Sequence, residues 1–137
     1  MFVNNLPFTE TLQMAQRDIY DIDTMLLTPL KKQKKDAKRK KITWNILSGT
    51  EHTIGITFGV LAAIDVYNQN YIFGGLYGGL MTIGAIAGFN ANNIAKSYAD
   101  IEKQLSEKIN NIQNSVNSAL PEQLHEIAEI ARNIKQR

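Results

Sequence analysis

Residues 71–89 read YIFGGLYGGLMTIGAIAGF, and this stretch decides the fold that we expect. It contains no charged side chain, and six of its nineteen residues are glycine. As a helix it would extend about 28 Å, at roughly 1.5 Å per residue, close to the roughly 30 Å hydrocarbon thickness of a bilayer. Each glycine weakens a solvated helix by about 1 kcal/mol relative to alanine. The stretch therefore predicts a helix that packs closely against other helices or lies in a membrane.

A second apolar arm, residues 42–67, precedes this stretch. Its charge-free part, Thr53–Ile64, is shorter, because Glu51 and His52 stand before it, so it is a marginal membrane span. The short polar connection at residues 68–70 requires the two arms to run antiparallel, as a helical hairpin. A β-hairpin is the competing interpretation, since glycine and aromatic residues also suit strands, but the alternation of strands is absent.

The glycines and the aromatic residues of the two arms have separate predicted roles. Glycine pairs four residues apart recur in both arms and predict helix–helix contact at Gly55, Gly59, Gly74, Gly75, Gly78, Gly79, Gly84 and Gly88. Aromatic side chains at the ends of the arms should mark the membrane interfaces, and these are Trp44, Tyr67, Tyr71 and Phe89.

Positive charge is concentrated just before the hairpin, although the net charge of the chain is only +2. The basic block consists of Lys31, Lys32, Lys34, Lys35, Lys38, Arg39, Lys40 and Lys41. One interpretation is a solvated, partly helical linker over residues 31–41; the other is contact with an anionic surface, either lipid head groups or nucleic acid. The adjoining apolar arm favours lipid. A spanning hairpin would then keep both termini cytoplasmic.

The segment 1–30 before the basic block should form an amphipathic helix, over residues 9–28. Its apolar residues recur at spacings of three and four, and they are Leu12, Ala15, Ile19, Ile22, Met25 and Leu26. Acids such as Asp18 and Asp21 fall largely on the other face. Thr28-Pro29 should end or kink this helix.

The segment 91–137 after the hairpin (residues 42–90) should contain a long helix and then a short one. Apolar residues from Tyr98 to Leu120 follow an eleven-residue repeat, which is typical of a straight or slightly right-handed seam. Pro121 suits the first turn of a new helix, with an apolar stripe at Leu124, Ile127, Ala128, Ala131 and Ile134.

Catalytic and metal-binding signals are missing from the sequence. There is no cysteine, no nucleotide-binding glycine loop, no nucleophile elbow and no HExxH motif, so we expect no enzyme, cofactor, metal or small-molecule substrate. The first residues lack a basic and apolar leader, so we expect no cleaved secretion signal. Glu51 and His52 are either an interfacial pair or a pH-dependent control on insertion, because histidine titrates near neutrality.

The small chain, its hairpin and its lack of catalytic motifs resemble the internal (inner core, ejected) virion proteins of short-tailed bacteriophages. The resemblance covers the architecture of residues 42–120 and transfers no functional residue. It implies a helical homo-oligomer, stored in the virion and delivered with the genome to perforate the host envelope as a pore. The basic block would then also meet packaged DNA or other virion proteins.

Two further functions stay open. The order of elements over residues 9–136 is similar to the SLATT family of bacterial defence effectors, which implies a constitutive two-span membrane protein. Glu51 and His52 argue against a permanent first span. The other alternative is a soluble helical assembly subunit whose apolar arms are buried between copies of the chain, since so small a chain cannot easily bury them alone.

Overall fold

The computed structural model describes residues 8–135, which are helical apart from short turns. The elements are α1 (Phe8–Ile22), a π-helical turn (Asp23–Leu27), α2 (Thr28–Tyr67), α3 (Tyr71–Ser118) and α4 (Pro121–Lys135). The predicted all-α class is confirmed, and the described residues contain no strand. Residues 1–7, on which the expectation about a secretion signal depends, lie outside the described residues.

The helices are fewer and longer than the sequence predicted. The expected linker at residues 31–41 lies inside α2, which continues into the first apolar arm. The second arm and the expected long helix form the single helix α3. Lysine and arginine are good helix formers, and residues 31–41 contain no glycine or proline that would end a helix.

Pro29 does not end the helical run either, which corrects the expected end of the helix at Thr28-Pro29. A proline within a helix removes one N–H donor, and its ring crowds the carbonyl four residues earlier. Here the π-helical turn Asp23–Leu27 directly precedes it, and the Thr28 N–H donates to the Asp23 carbonyl, five residues back. The wider turn changes the carbonyl positions where the ring would clash, so the chain stays helical.

The turn between α2 and α3 forms at the predicted residues 68–70. Gln69 adopts a left-handed backbone conformation, with φ of 65°. The Asn70 N–H donates to the Asp65 carbonyl at 2.8 Å, and the Gln69 N–H donates to the Val66 carbonyl at 3.0 Å. This pair of bonds is a Schellman motif, which satisfies the last carbonyls of α2 and reverses the chain within three residues.

The chain divides into two compact units. Unit 2 is the hairpin Asp36–Glu102, and unit 1 contains the residues up to Lys35 and those from Lys103 onward. The core of unit 1 consists of Ile22, Leu124 and Ala128, with Ala15, Leu26, Ile112, Val116, Ala119 and Ile127 packed against it. Unit 1 is therefore a helical core in which large apolar side chains, such as Ile22, Leu124 and Ile112, hold inward positions.

The buried face of α1 is rotated from the predicted one. Ile22 is fully buried, but Leu12 and Ile19 are 47% and 45% exposed. Asp18, expected on the polar face, is only 4% exposed. The reason is that Asp18 is paired with charged groups on α4, so this face can be buried without leaving the carboxylate unsatisfied.

The inward positions of α3 follow a seven-residue repeat. They alternate at spacings of three and four along the helix, at Gly74, Tyr77, Met81, Gly84, Gly88, Ala91, Ala95, Tyr98, Glu102, Leu105, Ile109, Ile112 and Val116. Ile101, which the expected eleven-residue repeat placed in the seam, is 43% exposed. That repeat was wrong because it counted large apolar residues, whereas small ones and Glu102 occupy the inward positions. Seven-residue spacing is typical of a left-handed helix pair.

Ile22 and Ile19 provide a direct test of the corrected α1 face. We expect Ile22→Ala to lower the free energy of unfolding by about 2–5 kcal/mol, because the cavity forms in a packed core. Ile19→Ala should cost less than about 1 kcal/mol, since Ile19 is nearly half exposed. Urea unfolding followed by circular dichroism measures both values, and equal losses would contradict the rotated face.

Candidate functional site

The hairpin of unit 2 is packed with small residues inside and large apolar residues outside. Its buried residues are Ala37, Ser48, Gly55, Gly74, Gly84, Gly88, Ala91 and Ala95. Large side chains point away from the seam, and Ile56, Ile72 and Ile83 are 69%, 83% and 64% exposed. This distribution is the reverse of the packing in unit 1, and it makes the outer surface of the hairpin the candidate functional surface.

The closest approach of α2 and α3 is at Gly55 and Gly84. A Cβ atom at Gly84 would lie 3.1 Å from the Cα of Gly55 and 3.2 Å from the carbonyl oxygen of Glu51. A Cβ atom at Gly55 would lie 3.4 Å from the Met81 carbonyl oxygen. The helices therefore pack backbone against backbone here, and a side chain at Gly84 would require backbone atoms of α2 to shift by a few tenths of an ångström.

The other predicted contact glycines fall into two groups. A Cβ atom at Gly59 would lie 2.8 Å from Met81 Sδ, and one at Gly74 would lie 2.7 Å from Val66 Cγ2, while one at Gly88 would overlap the His52 ring. These three glycines lie at the seam. Gly75, Gly78 and Gly79 would meet nothing within 4 Å and lie on the open surface of α3. Their role in contacts with another chain stays a prediction.

Hydroxyl groups on the hairpin are satisfied within the chain. The hydroxyls of Thr43, Thr50, Thr53, Thr57 and Thr82 each donate to the carbonyl four residues earlier, at 2.9–3.1 Å. The buried Ser48 hydroxyl donates across the seam to the Gly88 carbonyl, at 2.9 Å. Polar groups with internal partners can leave water at a much lower cost than unpaired ones.

Glu51 and His52 lie beside the seam rather than on the open apolar surface. The His52 ring packs over Gly88, and its Nδ1 donates to the Ser48 carbonyl at 2.7 Å. Glu51 is partly buried, and its carbonyl approaches Gly84. Glycine on α3 thus provides the room that these two larger residues of α2 need.

The aromatic residues predicted as interface markers differ in exposure. Tyr67 and Tyr71 flank the turn and are 89% and 67% exposed. At the other end of the arms, Phe89 is 61% exposed, and Trp44 is half-buried. Phe58 and Tyr77 stack across the seam between these levels, with ring centroids 5.9 Å apart. This stack fills the seam where no glycine pair brings the helices together.

The basic block is divided by its contacts. In unit 2, Lys41 Nζ donates to Glu102 Oε2 at 2.6 Å, and Lys40 Nζ lies 5.5 Å from the centroid of the Tyr98 ring. In unit 1, Lys31 pairs with Asp23 at 3.2 Å, and both side chains are half exposed. Lys34 is partly buried, and the four remaining cations are exposed: Lys32, Lys35, Lys38 and Arg39. The eight residues therefore differ in exposure and in contacts within the chain, and contact of the block with an anionic surface stays a prediction.

Sequence reasoning missed a buried charge cluster in unit 1. Arg132 on α4 donates to Asp18 at 2.7 Å and to Asp21 at 2.6 Å, and His125 Nδ1 lies 3.1 Å from Asp18. The hydrogen bonds from Arg132 to Asp21 and then to Asp18 raise the pKa of the guanidinium above its ordinary value. The cluster joins α1 to α4. The sequence offers no signal for it, because the partners are more than a hundred residues apart.

One helix of the described chain is long and apolar enough to cross a membrane. This helix is α3, whose most apolar 18-residue window has a mean hydropathy of 1.5 and is only 17% buried. A buried core helix of a soluble protein can reach the same length and hydropathy, so these two properties do not by themselves place α3 in a membrane.

Comparison of the chain with protein-family models, curated proteins and solved structures finds no match. Its function is therefore inferred from its own side chains and their packing.

Gly84 and Gly79 form a matched pair that tests the seam. We expect Gly84→Ala to destabilise the hairpin by about 1–3 kcal/mol, because the new methyl group meets backbone atoms of α2, which would have to shift. Gly79→Ala should stabilise it by about 0.5–1 kcal/mol, since the site is open and alanine favours helix. Unfolding of both variants in the same solvent measures the difference; a stabilising Gly84→Ala would show that the helices do not touch there.

Removal of Arg132 tests the charge cluster. We expect Arg132→Met to lower the thermal unfolding midpoint, because Asp18 stays buried without its main partner, whereas Arg17→Met on exposed α1 surface should change it little. A raised folded-state pKa means that the stabilisation is complete below the ordinary pKa of arginine and is lost only in strong alkali. The Arg132-dependent difference should therefore persist from neutral to moderately alkaline pH.

Proposed function

We propose that the chain is an oligomeric, membrane-interacting helical protein whose hairpin enters a bilayer. The observation that carries the proposal is the reversed packing of the hairpin, with glycine, alanine and serine at the seam and isoleucine, leucine, valine and phenylalanine outside. Small residues at helix contacts and large apolar residues outside are typical of helices in lipid, where burying large side chains between helices gives no hydrophobic gain.

The hydrogen bonds of the hairpin's polar groups are also consistent with a lipid environment. Each threonine hydroxyl from Thr43 to Thr82 donates a hydrogen bond to a carbonyl of its own helix, so these donors need no water as a partner. The backbone between the arms turns within three residues at the polar tip. A spanning segment must satisfy its backbone and side-chain polar groups internally, and the threonine and Ser48 hydroxyls of the hairpin meet that requirement.

Conditional insertion fits the hairpin better than a permanent two-span topology. α3 is long and apolar enough to cross a membrane, whereas α2 is not apolar enough over a sufficient length. Glu51 and His52 stand about 10 Å inside the Trp44 end of the first arm, at about 1.5 Å per residue, and their charged forms oppose transfer into hydrocarbon. A constitutive two-span effector would have to keep these groups neutral or in contact with water at all times.

The finer proposal is delivery and perforation. By its resemblance to internal virion proteins of short-tailed bacteriophages, the chain would be packed as an oligomer and then associate in the host envelope as a pore. Gly75, Gly78 and Gly79 are open on α3, so a sister chain could approach the helix backbone there. A soluble assembly subunit would use the same apolar surface against sister chains without entering lipid.

Solubility and insertion separate these alternatives. Trp44 is the only tryptophan, so its emission reports the base of the hairpin. We expect a detergent-free oligomer in buffer, a blue shift of Trp44 emission with liposomes, and release of an entrapped dye. Recovery only in native membrane fractions would indicate the constitutive effector. A discrete large oligomer that never binds liposomes would indicate the assembly subunit and end the membrane proposal.

Substitution of Gly78 tests the contact between chains. We expect Gly78→Leu to disrupt the oligomer while helical content is largely kept, because its Cβ meets no atom within 4 Å and the side chain would block the approach of a sister chain to the backbone. Gly49→Leu is the matched control, since Gly49 is equally open but lies outside the three-glycine group. Size-exclusion chromatography with light scattering measures both, and an unchanged oligomer with Gly78→Leu would count against the contact.

A further inference from the structure

The cations at the base of the hairpin have two distinct roles, and this inference rests on the proposed membrane function. We propose that Lys38, Arg39 and Lys96 bind the head groups of anionic lipids, whereas Lys40 and Lys41 hold α2 and α3 together. From the sequence alone, residues 31–41 form one basic block; within unit 2 the structure separates its cations by whether they contact α3. Lys96, from α3, was not part of that block.

Lys40 and Lys41 are turned toward α3. Lys41 Nζ lies 2.6 Å from Glu102 Oε2, and the two side chains are only 29% and 19% exposed. Lys40 Nζ lies over the Tyr98 ring. A cation that is already paired in a partly buried seam, or placed over an aromatic ring, gains little further free energy by binding a lipid phosphate. These two lysines therefore serve the helix pair and not the membrane surface.

Lys38 and Arg39 are exposed, and they are in line with the apolar outer surface of α2. Ile42 follows Lys38 by four residues and Arg39 by three, and Ile46 follows one turn later, so these side chains share one face. Ile42 and Ile46 are 47% and 66% exposed. From Lys38 to Ile42, the outer face of α2 thus changes from cationic to apolar over about one turn, roughly 6 Å.

The outer face of α3 changes in the same way at the same end of the hairpin. Phe89 is 61% exposed, and Lys96, also exposed, lies seven residues further on the same face. The contact between Lys40 and Tyr98 places Lys96 within one turn of the Lys38–Arg39 level. Both helices therefore pass from apolar to cationic at one level, which is the pattern that a membrane surface requires on two neighbouring spans.

The charge balance favours anionic lipid over a neutral surface. The exposed acids at this level are Asp36 and Asp100, and Glu102 is engaged with Lys41, so the level keeps a positive excess. The opposite end has Asp65 and no cation, because residues 42–95 contain no lysine or arginine. Nucleic acid would meet the same cations, but it would not account for the apolar surface that continues from them.

The test compares two adjacent pairs of charges in the full chain. One variant carries Lys38→Gln with Arg39→Gln, and the matched variant carries Lys40→Gln with Lys41→Gln, so each loses two positive charges. Flotation with vesicles of phosphatidylcholine alone, or mixed with phosphatidylglycerol, measures binding at low and high salt. A cation near an anionic surface is worth about 1 kcal/mol, so the outward pair should account for about 30-fold in affinity.

We expect the outward variant to lose that affinity for the mixed vesicles and to bind phosphatidylcholine vesicles like the wild type. The inward variant should keep the preference for mixed vesicles and instead unfold at a lower temperature. Adding Lys96→Gln to the outward variant should weaken binding further. Circular dichroism of each variant verifies that its helices form.

Three results would overturn the proposal: equal losses in the two variants, no loss in either, or a loss of duplex DNA binding in the outward variant without any lipid preference in the wild type. The last result would assign these cations to nucleic acid. The proposed membrane function fails separately, if the wild-type chain binds mixed vesicles through its cations but Trp44 emission shows no insertion.

Discussion

The backbone contact between Gly55 and Gly84 is the constraint on which the rest of the hairpin depends. With no side chain between them, the two helices approach so closely that a single Cβ atom would separate them. This proximity lets Ser48 reach the Gly88 carbonyl and lets the His52 ring lie over Gly88. At this level it leaves no inward space for isoleucine or phenylalanine, so large side chains such as Ile56 and Ile83 point outward, whereas Phe58 and Tyr77 stack in the seam further along. The exposed apolar surface is therefore a consequence of the seam and not an independent property of the arms.

The same helix, α3, takes part in two kinds of packing. Along its hairpin part the inward positions hold Gly84, Gly88, Ala91 and Ala95, and along its C-terminal part they hold leucine and isoleucine, such as Leu105 and Ile109. The seven-residue repeat continues through both parts. One part is suited to lipid or sister chains, and the other to a core that forms in water. This change within one continuous helix is the structural basis of the proposed conditional insertion.

Each of the two parts also has its own ion pairs. The cluster of Arg132 with Asp18 and Asp21 joins the two terminal helices. Its charged groups can be removed from water only because each of them has a partner of opposite charge. At the base of the hairpin, the pair of Lys41 and Glu102 fixes α2 against α3. Neither set of ion pairs was predicted from the sequence, because a charged side chain is expected to be exposed until a distant partner is known.

The sequence by itself determined the all-α class, the turn at residues 68–70, the antiparallel hairpin and the apolar character of its surface, because these follow from local composition, spacing and chain connectivity. It did not determine that the chain stays helical past Pro29 and through the basic block. The π-helical turn that accommodates the proline is visible only in the tertiary structure. Nor did it determine which glycines meet a neighbour: Gly74 and Gly75 are adjacent in sequence, but only Gly74 faces α2. The direction in which a helix turns its face is decided by what packs against it, and that is a property of the tertiary structure.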